Sequence, residues 1–113
     1  MEEAINSEAL DELRSLMGES LNEVLQTFLD FVPDQINELS TAVFNNDADG
    51  VFNLAHKMKS SSSSIGALGL AHTAEQIELI GRAGSTEGAA ELLQQLKGMY
   101  SDAEALLREE LKK

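Results

Sequence analysis

Apolar residues recur every three or four positions over residues 21–43, and this periodicity constrains the fold more than any other feature. Such spacing places the apolar side chains on one face of a helix, and other elements must cover that face. The only proline, Pro33, lies inside the pattern, where proline normally bends or ends a helix. Because the apolar phase is unchanged across it, we predict one long helix bent at Pro33. Two collinear helices are the alternative.

Four further segments have amphipathic spacing, and no alternating run of β-branched residues indicates a strand. The first predicted helix begins near Asn6 or Ser7 and ends at Gly18. Another follows the turn over residues 45–50, a third covers residues 70–80, and the last is capped by Ser85 or Thr86. Amphipathic helices with short connections must cover one another. We therefore predict an all-α fold: an antiparallel up-down four-helix bundle with a short extra N-terminal helix, forming one domain over residues 1–113.

Composition excludes several classes of function. The 113 residues include 20 acidic and 8 basic side chains, a formal charge of −12, which argues against a nucleic-acid partner. The chain has no cysteine for a disulfide or thiolate site. No apolar run reaches the roughly 18 residues of a membrane span, and residues 1–6 lack the features of a signal peptide. We expect a monomeric cytoplasmic protein that does not bind membranes.

The two histidines do not match the signature of a di-metal bundle. The residues three positions before His56 and His72 are Asn53 and Gly69, so the Glu-x-x-His motif is missing and we predict no metal site. No glycine-rich nucleotide loop is present, and no serine nucleophile lies in a recognisable catalytic turn. We expect His72 to be an ordinary surface residue.

His56 lies outside the apolar stripe of its predicted helix, about 140° from Val51 at roughly 100° per residue. The run of serines at residues 60–64 stays helical in this interpretation, because Met58 and Ile65 on either side share one phase. An exposed neutral imidazole can attack a phosphoryl group and hold it as a phosphoramidate. Lys59, one turn away, would offset the added negative charge. A helical adaptor that only binds another protein fits these residues equally well.

Residues 55–67, Ala-His-Lys-Met-Lys-Ser-Ser-Ser-Ser-Ser-Ile-Gly-Ala, resemble the signature of histidine-containing phosphotransfer (HPt) domains. That signature has an apolar residue two positions after the histidine, lysine at three, a small residue at four, then serines and an apolar-Gly-Ala step. Residues 25–33 are similar to the family's long second helix, and the acidic turn at residues 46–49 is similar too. The resemblance covers roughly residues 10–106.

The resemblance implies a four-helix bundle in which His56 accepts a phosphoryl group from a receiver-domain aspartate and passes it to another receiver. Lys59 would compensate the charge of the phosphate. The family usually has glycine at the position of Ser60, so the serine is a mild departure. The implied partners are receiver domains of response regulators and hybrid sensor kinases. Mg²⁺ would belong to the receiver, and the chain itself would need no cofactor and have no kinase activity.

The resemblance also implies a docking surface around His56 on the second and third helices. Four residues are candidates for this surface: Lys57, Ser60, Ser63 and Phe52. Phe52 and Phe31 lie at the margins of their apolar stripes, so each is either a contact for the partner or the edge of the core. A helical adaptor that binds a response regulator without accepting phosphate remains the alternative function.

Overall fold

The computed structural model describes residues 5–113, all of whose regular structure is helical. Residues 1–4, which hold the start of the predicted domain and most of the segment compared with a signal peptide, lie outside this range. The five helices are α1 (Ser7–Met17), α2 (Ser20–Phe44), α3 (Ala48–Ser64), α4 (Leu68–Arg82) and α5 (Ala89–Leu111). The all-α prediction is confirmed. Among the described residues no helix is long and apolar enough to cross a bilayer.

Helices α2 to α5 form the bundle. Each packs against the next along the chain, and α2 also packs against α5, so the four helices enclose one core. The linkers at residues 45–47, 65–67 and 83–88 are short, which makes successive helices antiparallel. Helix α2 is continuous through Pro33, as its unbroken apolar phase predicts. The extra helix α1 packs mainly on α2.

Two helix starts differ from those predicted from local sequence. Helix α4 begins at Leu68, two residues early, and it continues through Gly81 to Arg82. Helix α5 is preceded by Gly88 in the left-handed conformation, at φ 84°, and not by a capping serine or threonine. Ser85 instead accepts a hydrogen bond from the backbone N–H of Glu87 within the linker. The tertiary path of the linker therefore overrides the local capping preference.

Helix α1 is tied to the bundle through a mostly buried ion pair. The Nε of Arg14 donates to Glu110 Oε2 on α5 at 3.0 Å, and another guanidinium nitrogen donates to Asn22 on α2 at 2.9 Å. At the other end of α1, the backbone N–H of Asn6 donates to the carbonyl of Gly66 in the α3–α4 linker. Helix α1 is therefore attached to α5 and α2 near one end and to the α3–α4 linker at the other end.

Helices α3 and α4 approach each other closely at Gly81. A Cβ atom built there would lie 2.6 Å from the backbone nitrogen of Phe52 and 2.8 Å from the carbonyl oxygen of Ala48. Only a residue without a side chain permits this approach. Because of this contact, the part of α3 that carries His56 lies beside the face of α4 one turn before Gly81.

Candidate functional site

His56 lies on the solvent side of α3, with 55% of its side chain exposed. Asp47 caps the start of this helix by accepting a hydrogen bond from the N–H of Gly50. The helix continues through the serine run to Ser64, as predicted. Met58 and Ile65 are buried on the opposite side. The rigid helix therefore presents the imidazole outside the core.

Glu78 of α4 lies directly beneath this imidazole and is almost completely buried, with 1% of its side chain exposed. Its Oε2 is 3.0 Å from His56 Nδ1 and 3.3 Å from a guanidinium nitrogen of Arg82. Its Oε1 is 2.7 Å from Lys59 Nζ. One buried carboxylate thus joins three basic side chains from two helices.

The charge state of Glu78 follows from these contacts. Burial on its own raises the pKa of the carboxyl, because the charged form loses hydration. The close ion pair with Lys59, the hydrogen bond from His56 and the charges of these two groups act in the opposite direction and outweigh burial. The pKa of Glu78 is therefore lowered, and the group is a carboxylate at neutral pH.

An ionised Glu78 assigns the tautomer of His56. A carboxylate has no proton to donate, so the 3.0 Å contact requires the proton to be on Nδ1. In the neutral ring the lone pair is then on Nε2. Within residues 5–113 no group makes a hydrogen bond with Nε2. The site therefore holds a half-exposed imidazole by one nitrogen and leaves the other as a nucleophile.

Phe52 supports the imidazole from the preceding turn of α3. Its ring and that of His56 are inclined by only 24°, with centroids 6.2 Å apart. The guanidinium carbon of Arg82 lies 5.7 Å from the Phe52 centroid, within the range of a cation–π interaction. Phe52 is partly buried between these two groups. These contacts place Phe52 beside the site, and its role as a contact for the partner stays a prediction.

Lys59 is close to His56, as its spacing predicts, but its ammonium group is already engaged. Only 29% of the side chain is exposed, because Nζ reaches down to Glu78. An ammonium group has three N–H donors, so the single contact with Glu78 leaves donors for another anion. The predicted role in compensating phosphate charge would therefore use a lysine that is held in place beforehand.

The remaining predicted surface residues are on the outer side of α3. Lys57, Ser60 and Ser63 are exposed, whereas Ser62 of the same run is buried against the core. An open groove of about 540 Å³ runs between α2 and α3. Phe31 lines it and has 62% of its surface exposed, unlike the core residues of α2. The outer side of α3 thus carries small polar side chains, and the groove between α2 and α3 adds one exposed aromatic ring.

The sequence patterns did not identify Glu78 or Arg82 as part of the site. A signal for Glu78 exists: Ala71, Ala74, Glu78 and Gly81 follow steps of three and four and share one buried face of α4. A glutamate on such a stripe indicates a buried carboxylate that needs partners. The signal for Arg82 is only its position four residues after Glu78. Which cations surround Glu78 depends on how α4 packs on α3, and local sequence does not specify that packing.

Other candidate sites are weaker in the described part of the chain. His72 is exposed on α4, and its ring makes one long hydrogen-bond contact with a described residue, at 3.5 Å to Gln76. No group of three or more histidine, aspartate or glutamate side chains in residues 5–113 is arranged to hold a metal ion. The cluster of His56, Glu78, Lys59 and Arg82 is thus the main convergence of charged groups on the bundle surface.

A family model and a solved structure both match this chain. The family model described as "Hpt domain" matches residues 23–106. The crystal structure of histidine-containing phosphotransfer protein B (HptB) from Pseudomonas aeruginosa PAO1 superposes with a TM-score of 0.90 at 25% sequence identity. The match covers 96% of this chain and 95% of that one. A comparison with curated proteins found no match.

Proposed function

Because the chain belongs to the Hpt domain family and is a histidine phosphotransfer protein of phosphorelays, we propose that Nε2 of His56 is its phosphoacceptor atom. The observation that supports this assignment is the hydrogen bond from His56 Nδ1 to the buried Glu78. This contact leaves Nε2 on a half-exposed ring as the nucleophile. The donor is an aspartyl phosphate of a receiver domain, and a second receiver is the acceptor.

The charges around His56 suit a phosphoryl group. Lys59 and Arg82 carry two positive charges and Glu78 one negative charge, so the three groups have a net charge of about +1 beside His56. A bound phosphoryl group brings about two negative charges on a chain that already carries −12. Lys59, held one turn from His56, is the group that we assign to charge compensation.

The receiver supplies the chemistry that this chain lacks in our proposal. The sequence has no glycine-rich nucleotide loop, so we assign it the role of a carrier without kinase activity of its own. Mg²⁺ would be held by the receiver's acidic residues, and the chain itself would use no cofactor. We further propose that the protein acts as a monomer in the cytoplasm.

We propose that the receiver docks on the exposed side of α3 and the adjoining edge of α2. Lys57, Ser60 and Ser63 surround the approach to His56, and Ser60 is small enough to let the partner's backbone come close. Phe31 supplies an exposed apolar contact at the α2–α3 groove. Phe52 contributes indirectly, by supporting the imidazole ring, which it faces at 24°.

A transfer assay tests this proposal. Each receiver domain encoded in the source genome is charged with ³²P-phosphoryl and mixed with the purified protein. We expect label to appear on this chain as an acid-labile phosphate, located at His56 by mass spectrometry. His56→Gln removes the nucleophile and should abolish labelling, whereas the matched His72→Gln should be labelled normally.

Two results would contradict the assignment. Normal labelling of His56→Gln would show that another residue is the acceptor. Receiver binding that is equal in wild type and His56→Gln, with no label on either, would favour the alternative of an adaptor that binds without accepting phosphate.

A further inference from the structure

The partner of His56 Nδ1 is a buried carboxylate, although any neutral acceptor would fix the same tautomer. Glu78 is 1% exposed, and placing a charge there is costly unless the charge is paired. Lys59 and Arg82 provide that pairing, at 2.7 and 3.3 Å. The fold thus maintains a negative charge within hydrogen-bond distance of the imidazole, and orientation of the ring alone does not account for it.

We infer that Glu78 is a positioning residue whose negative charge, acting through the Nδ1 proton of His56, sets how far the phosphoryl equilibrium lies toward this chain. The inference rests on the proposed function above, in which Nε2 is the acceptor. In this inference Glu78 does not touch the phosphoryl group, and its charge lowers the free energy of phosphorylated His56.

The transfer step shows where this charge acts. The lone pair of Nε2 forms the new N–P bond while the P–O bond to the receiver aspartate breaks. The electron pair of the broken P–O bond leaves with the aspartate carboxylate. No proton moves, because Nδ1 keeps the proton that it donates to Glu78. The ring, neutral before the step, becomes an N-phosphorylated imidazolium with one positive charge. Glu78 is already ionised and in contact with that ring.

The size of the effect follows from ordinary charge–charge coupling. An opposite charge within about 4–6 Å favours the charged form of a group by a factor of about 10 to 1,000. Lys59 and Arg82 share the same carboxylate and weaken its field at the ring. The lower end of the range therefore applies, and removing the charge should lower the equilibrium constant for phosphorylation of His56 by about tenfold.

The variant Glu78→Gln separates charge from orientation, because the amide oxygen can still accept from Nδ1. Glu75→Gln is the matched control: it makes the same charge change at an exposed position of α4 one turn away. Each protein is mixed with a phosphorylated receiver, and the ratio of the two phosphorylated species is measured at equilibrium. We expect the ratio to fall about tenfold for Glu78→Gln and to stay at the wild-type value for Glu75→Gln.

Two ¹⁵N NMR measurements on the His56 ring complete the test. In Glu78→Gln the unphosphorylated ring should keep its proton on Nδ1, which shows that orientation is intact. The second measurement needs no variant and so holds even if Glu78→Gln does not fold. In phosphorylated wild type, Nδ1 should still carry its proton at a pH where the same phosphohistidine in the urea-unfolded chain has lost most of it.

The outcomes distinguish this inference from the proposed function. If His56 accepts phosphate in wild type and Glu78→Gln shows the same equilibrium ratio, the inference is wrong while the proposed function stands. An equal fall in Glu75→Gln, or loss of the Nδ1 proton at the same pH in folded and unfolded phosphoprotein, also overturns it. If wild type accepts no phosphate at His56, the proposed function itself fails.

Discussion

The close approach of α3 and α4 makes the same substitution have opposite effects at two glycines. Gly81 and Gly98 both lie within helices, α4 and α5 respectively. A Cβ at Gly98 would meet nothing within 4 Å, whereas at Gly81 it would lie 2.6 Å from the backbone nitrogen of Phe52 and 2.9 Å from its Cα. Gly98→Ala should therefore stabilise the protein, and Gly81→Ala should destabilise it.

The magnitudes follow from the two environments. Replacing glycine by alanine inside a helix is worth up to about 1 kcal/mol when the new methyl group has room. Carbon atoms pack at about 3.5–4.0 Å, so at Gly81 the backbone of α4 has to move away from α3 by about 1 Å. Overpacking of this kind costs about 1–3 kcal/mol. We expect about 0.5–1 kcal/mol of added stability for Gly98→Ala and a net loss of about 1–2 kcal/mol for Gly81→Ala.

Urea unfolding followed by circular dichroism measures both free energies. Gly81→Ala should also disturb the ¹⁵N signals of the His56 ring, because a displaced α4 carries Glu78 away from Nδ1. Gly98→Ala should leave those signals unchanged. If both variants gain stability to a similar extent, the α3–α4 contact is not limiting and our account of how the site is assembled is wrong.

Two further predictions concern the cations and the pH dependence of the site. Lys59→Ala should slow phosphoryl transfer and shorten the lifetime of the phosphohistidine while the bundle stays folded. Lys97→Ala, at an exposed position of α5, is the control. Normal transfer by Lys59→Ala would exclude the role assigned to Lys59. Because the pKa of Glu78 is lowered from 4.5 in the folded state, its stabilising contribution is complete above about pH 4.5 and is lost as the pH falls through the lower folded value. Wild type should therefore lose unfolding free energy relative to Glu78→Gln below about pH 4.5, and a difference independent of pH down to about pH 3 would contradict the assignment.

Helix periodicity was the most reliable guide from the sequence, because it depends only on spacing along one segment. The constant apolar phase on both sides of Pro33 correctly predicted one helix. The phase shared by Met58 and Ile65 kept the serine run helical, and it placed His56 outside the apolar stripe, where 55% of its side chain is exposed. Each of these properties is a matter of angle around one helix axis.

Properties that depend on contacts between two segments could not be predicted from the spacing of residues within one segment. Glu78 shares a stripe of α4 with Ala74 and Gly81, and this spacing indicates that it is buried. The cations that pair with Glu78 are set by how closely α4 packs on α3 at Gly81. Helix α5 is preceded by Gly88 and not by the predicted Ser85 or Thr86 for a similar reason, since the path of the linker is set by the helices on either side. Local spacing therefore located the histidine, and the packing of one helix on another supplied the carboxylate beneath it.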